Sequence, residues 1–105
     1  MTTTSTKEQA QQIARALLQR HLAGCVQIVG PITSLYWWED EIEEAEEYLC
    51  IIKTQVTLYE GLESFLKAIH PYQTPEIIGV TVNKGSQDYL DWLTDILNRG
   101  RGAAR

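Results

Sequence analysis

Basic residues are scarce in this sequence: nine Lys and Arg stand against fourteen Asp and Glu, for a formal net charge of −5. A general nucleic-acid binder needs a basic face, so nucleic acid is not an expected partner. Cysteine is scarcer, with two residues, Cys25 and Cys50. They make no C-x-x-C pair and no disulfide framework, and free thiols suit a reducing compartment. Both lie in apolar stretches and read first as core thiols. No apolar run approaches the roughly 20 residues of a membrane span. The polar start, Met1 to Lys7, has no signal-peptide core, so the cytoplasm is the expected address, with no membrane partner. A G-x-S-x-G elbow, a phosphate loop and a dinucleotide fingerprint are all missing. Ser34 and Ser86 have no evident base, and a Cys25–His70 nucleophile pair would have no third, orienting group. A thiol or hydrolytic enzyme is therefore the weakest reading; no catalytic residue is assigned and no catalysis is expected.

The 105 residues fit one domain. Ser5 and Glu8 form a capping box ahead of Ala10, Ile13, Ala14, Leu17, Leu18 and His21, spaced as the apolar face of a helix that Gly24 would stop. Residues 25–29 are strand-prone and Gly30-Pro31 breaks them; 32–39 read as a second strand. Asp40-Glu41 is a turn, and residues 42–54 read as a long third strand, charged at its start and apolar at its end. Thr57 and Glu60 offer a cap for a second helix ended by Pro71. Residues 76–82 read as a fourth strand, and Ser86 can cap a third helix. The expected single domain is residues 1–97, with a Gly/Arg/Ala-rich tail over 98–105 that frays. Met1 to Thr4 could supply a short first strand. This order favours an α+β, ferredoxin-like split βαβ sandwich with a long β-hairpin and an extra C-terminal helix.

Seven of the fourteen carboxylates crowd into positions 39–47. Carboxylate oxygens attract divalent cations, but the run lacks the spaced Asp/Asn/Gly pattern of a calcium loop and also reads as a solvated hairpin tip.

Several motifs in order resemble the CutA divalent-cation tolerance family. Residues 15–18 and 21–28 (RALL, HLAGCVQI) are similar to its first helix running into L-A-A-C-V-N-I. Residues 34–39 (SLYWWE) are similar to S-I-Y-x-W-x, followed by a charged tip and Ile51-Ile52-Lys53-Thr54. Residues 70–77 (HPYQTPEI) match H-P-Y-x-x-P-E-I at each fixed position, and residues 89–93 (YLDWL) resemble its closing helix. The resemblance implies a ferredoxin-like fold, a tight homotrimer, and tolerance of copper and other divalent metals without an established reaction. The chain departs from the family at two points. Its first strand is cut to about Thr2–Thr4, and Asp40 stands where the hairpin turn usually carries Gly.

The candidate metal ligands are Cys25, whose thiolate suits soft ions, and His70 and Glu76, held on a loop stiffened by Pro71 and Pro75. His70 and Glu76 could equally serve structure, as a helix C-cap and a loop acceptor. No cofactor is obligatory; copper or another divalent cation is the expected metal. The alternative reading is a trimeric small-molecule sensor, with ligand clefts between subunits drawing on Tyr36, Trp38, Lys53 and Tyr72. Lys53 reads either as a snorkelling edge residue or as an anion contact. A strand over 42–54 would run about 43 Å. A domain of this length has a diameter of roughly 34 Å. The hairpin should therefore project, with aromatic rows that need cover from other copies of the chain.

Overall fold

The computed structural model of the protein describes residues 1–102. The element order is β1 (Thr2–Thr4), α1 (Lys7–Gln19), β2 (Cys25–Trp38), β3 (Glu41–Lys53), a 3₁₀ turn (Val56–Leu58), α2 (Tyr59–Ile69) and α3 (Gln87–Gly102). The three strands form one antiparallel sheet in the order β1-β3-β2. Ile13 and Leu17 of α1 and Leu62 and Leu66 of α2 share one buried cluster with Ala23, and Val26 and Ile52 of the sheet pack against it. The two helices thus cover one sheet face, as a ferredoxin-like α+β sandwich requires.

The hairpin explains the overall shape. The chain spans 51 × 28 × 22 Å with a radius of gyration of 15.0 Å, above the roughly 13 Å of a compact domain this long. Gly30-Pro31 does not end the strand, as the sequence suggested. β2 runs through it, with a register shift between Val29 and Ile32. Such a bulge absorbs the residue that cannot donate and keeps the ladder going. The turn is Glu39-Asp40, one residue earlier than expected, since Trp38 pairs with Glu41. Both turn residues have positive φ, 49° and 66°, as in a type I′ turn that matches strand twist.

Helix ends also moved. The α1 cap is Thr6, whose hydroxyl accepts from Gln9 N–H at 3.1 Å; Ser5 instead offers its backbone N–H to the Gln9 side chain. The helix ends at Gln19 with Arg20 as its C-cap, ahead of the expected Gly24. His21 takes φ 54°, while Leu22 N–H bonds Leu17 O and His21 N–H bonds Leu18 O, each at 3.0 Å. That is a Schellman ending with histidine in the left-handed position. Thr57 caps nothing: it sits inside the 3₁₀ turn, and α2 has no side-chain cap. Ser86 accepts from Tyr89 N–H, as expected. α3 extends to Gly102, so residues 98–102 of the expected tail are helical, while 103–105 lie outside the described residues.

The expected fourth strand over 76–82 does not form as a ladder. Met1 and Ile78 exchange backbone bonds, amino terminus to Ile78 O at 2.7 Å and Ile78 N–H to Met1 O at 3.2 Å. This is one hydrogen-bonded antiparallel pair on the β1 side away from β3. Val80 and Val82 are exposed and stand outside the ladder. Ile77 still packs on the core, while residues 78–82 are exposed.

Candidate functional site

β1, the hairpin base and the loop after α2 meet in one polar network. His70 ends α2, with its backbone N–H bonded to Leu66 O. Pro71 then turns the chain, and the His70 ring lands on β1. Its Nε2 lies 3.0 Å from both Thr2 Oγ1 and Thr3 O. Its Nδ1 accepts Tyr72 N–H at 3.0 Å. The Nδ1 acceptor role puts the ring proton on Nε2, which donates to β1. Burial lowers the His70 pKa, opposed by the Thr3 carbonyl and the Glu47 carboxylate.

Tyr72 carries the network across the sheet. Its hydroxyl donates to Glu47 Oε2 at 2.7 Å and shares a 3.0 Å bond with Ser5 Oγ. Glu47 is 7 % exposed. Burial, with the Glu47 carboxylate adding, pushes the Tyr72 phenol up to about 12, so it acts as a donor throughout the physiological range. Beside this bond opens a groove of about 420 Å³ lined by Ser5, Tyr36, Trp38, Glu43, Ala45 and Tyr72, among others. Tyr36 and Trp38 share a face of β2 by alternation, and Glu43 stands directly opposite Tyr36.

The structure therefore gathers some of the residues singled out in the sequence and separates others. Tyr36, Trp38 and Tyr72 line one groove. Lys53 is not among its lining; its ammonium lies 5.8 Å over the Tyr89 ring of α3, at the far end of the hairpin base. His70 and Tyr72 are adjacent, with ring centroids 4.9 Å apart. Glu76 is exposed, and its charge reaches the Met1 ammonium, whose pKa burial lowers and Glu76 raises.

Cys25 sits elsewhere. It pairs with Lys53, is half-buried and is free, while Cys50 is fully buried. Thr2, Cys50 and Ile28 form one row across the sheet. Cys25 lies three residues beyond Ile28, about 10 Å along the strand, and two strands away from the residue that touches His70. Among the described residues, no three His, Cys, Asp or Glu side chains form a metal-holding group.

Sequence reasoning missed Glu47, Glu43 and Ser5. Glu47 looked like one more charge in the acidic run. Counting back from a turn at residues 39–40 would have set Tyr36 against Glu43 and Ile32 against Glu47, but not the Tyr72 hydroxyl that comes to Glu47 from a loop 25 residues later.

Compared with known proteins, residues 1–96 match the family model described as CutA1 divalent ion tolerance protein. The divalent-cation tolerance protein CutA of Thermus thermophilus is 41 % identical over 93 residues, covering 89 % of this chain and 90 % of that protein. Human protein CutA is 41 % identical over 87 residues; the match covers 83 % of this chain but only about half, 49 %, of the human protein. Among solved structures, the periplasmic divalent cation tolerance protein CutA of Archaeoglobus fulgidus superposes with a TM-score of 0.88 at 38 % identity, covering 91 % of this chain and 93 % of that one.

Proposed function

The chain belongs to the CutA1 divalent ion tolerance family, and from that premise we propose that it is a copper-type, divalent-metal-binding tolerance protein that works as a homotrimer without catalysis. The observation that carries this reading is the 41 % identity, across nine-tenths of both chains, to a protein named for divalent-cation tolerance. Cys25, His70 and Glu76 are the candidate donors. Cys25 offers a soft thiolate and His70 a borderline imidazole, the donor types that favour copper over magnesium or calcium. Both His70 ring nitrogens already hold hydrogen bonds, so a metal there displaces one of them. Because Cys25 and His70 stand apart in one chain, a shared ion takes donors from different subunits, and a soft ion takes Cys25 alone. Two free cysteines fit a reducing, cytoplasmic address, and no helix among the described residues is long and apolar enough to cross a membrane.

Calorimetric titration with Cu(II), Cu(I) and Zn(II) tests the metal reading. Cys25→Ser and His70→Ala should each weaken copper binding while circular dichroism stays unchanged. Unaltered affinity in both variants rejects these donors.

A second reading has its own support. The groove that joins Tyr36, Trp38 and Tyr72 favours a small-molecule sensor. A metabolite panel run beside the metals separates the two.

A further inference from the structure

We propose that the groove beside Tyr72 binds a small organic ammonium ion; this rests on the small-molecule reading of that groove and names its ligand class.

Three aromatic rings make the walls. Tyr36 and Trp38 stand side by side on β2, both with over two-fifths of their surface exposed, and Tyr72 closes the groove from the loop. Ring faces carry partial negative charge and attract a cation placed over them. Ala45 is the smallest side chain in the row and gives the groove depth between Tyr36 and Tyr72.

The floor is acidic and has no counter-charge of its own. Glu43 lines the groove opposite Tyr36. Glu47, two residues past Ala45 on the same strand face, is 7 % exposed and held by the Tyr72 hydroxyl, so it lies behind the lining and adds negative charge there without touching the groove. Among the described residues the ion pairs are Lys67–Glu63 and Arg99–Asp95, both on helices and away from the hairpin.

The chemistry distinguishes an organic cation from a bare metal ion. Hard divalent ions take six to eight oxygens, or an octahedron kept largely as water. Aromatic carbon offers them none. An alkylammonium group presents weakly hydrated CH surfaces to the rings and a net charge to the Glu43 carboxylate, matching both the walls and the acidic lining. A groove of about 420 Å³ falls in the lower half of the range for small-ligand sites.

The test is calorimetric titration of the full chain with choline, with its uncharged carbon isostere 3,3-dimethylbutan-1-ol, and with acetate. Choline should bind saturably, and the isostere at least about tenfold more weakly. Glu43→Gln, an exposed change that spares folding, should weaken choline several-fold and leave the weak isostere binding unchanged. Raising salt should weaken choline as well. Equal binding of choline and the isostere, or tighter binding of acetate, overturns the ammonium assignment while leaving a small-molecule groove. Binding of choline that Glu43→Gln and Trp38→Leu both leave unchanged places it outside this groove and overturns the proposal. Failure of every probe to bind the folded protein overturns the proposal and the groove reading together.

Discussion

The Tyr72 hydroxyl donates to the Glu47 carboxylate across 2.7 Å, linking a loop residue to a strand residue 25 positions earlier. Ser5, just past β1, completes the junction at 3.0 Å. One phenol therefore ties the loop after α2 to both β1 and the hairpin.

Removing that phenol leaves Glu47 buried without its donor. Tyr72→Phe should cost about 1.5–3 kcal/mol, the usual worth of a hydrogen bond to a charged group. Glu47→Gln keeps an acceptor for the phenol and should cost less. Urea unfolding at matched protein concentration measures both. Equal and small losses would mean that the bond contributes little.

His70 makes stability depend on pH. Burial lowers its folded pKa below the ordinary 6.5, so the unfolded chain binds a proton first as pH falls. Its contribution is therefore present above about pH 6.5 and lost as pH drops through the lower, folded value. Protonation also puts a hydrogen on Nδ1, where Tyr72 N–H already points. Melting temperature should fall between about pH 7 and 5, and His70→Asn should flatten that step. An identical slope in the variant would assign the step to other groups.

Two glycines give opposite expectations. A Cβ at Gly30 would run into the Tyr48 ring, a rigid neighbour on the facing strand. Gly30→Ala should cost about 1–3 kcal/mol as an overpacking change. Gly61 lies inside α2, and a Cβ there meets only Leu22 at 3.9 Å. Gly61→Ala should gain up to about 1 kcal/mol from helix propensity. Thermal unfolding of the pair checks both signs; a neutral Gly30→Ala would mean that Tyr48 swings aside.

How far these features were legible in the sequence follows from the range of the forces behind them. The helix faces of Ile13, Leu17, Leu62 and Leu66 follow from a local 3.6-residue period, and the hairpin from its turn and alternation. Local competition hid the caps: Thr6 and Ser5 both suit an N-cap, and the chain chose the later one. Residues 76–82 carry strand-like residues, yet a ladder needs a paired neighbour, and only Ile78 exchanges backbone bonds with the β1 side, through Met1. For the site, His70 and Tyr72 stood out because two prolines bracket the loop. Glu47 did not, because nothing in an acidic run marks which carboxylate the fold will bury. Lys53 looked suited to the same cleft, but strand pairing sets it beside Cys25.

Exposed apolar residues at two places underlie the expected assembly. Val80 and Val82 are 69 % and 71 % exposed, and across the molecule Leu35, Trp37 and Ile42 on the hairpin are 64 %, 71 % and 63 % exposed. Trp37 and Ile42 face each other in register, so the arm ends in an apolar patch rather than scattered single residues. Exposed valines on a segment outside the ladder and an apolar patch on a projecting ribbon each invite association. Placed at two ends of one chain, they suit a head-to-tail contact, which a closed ring completes without loose ends. The number three comes from the resemblance to CutA proteins. Light scattering at micromolar concentration should report about three times the 11.9 kDa chain mass. Val80→Asp and Trp37→Asp put a charge into each half of the contact and should each shift the mass toward that of one chain. A wild-type protein that is folded and monomeric would remove the need for cover that the hairpin and the exposed valines imply. An intact trimer in both variants would place the interface elsewhere on the surface.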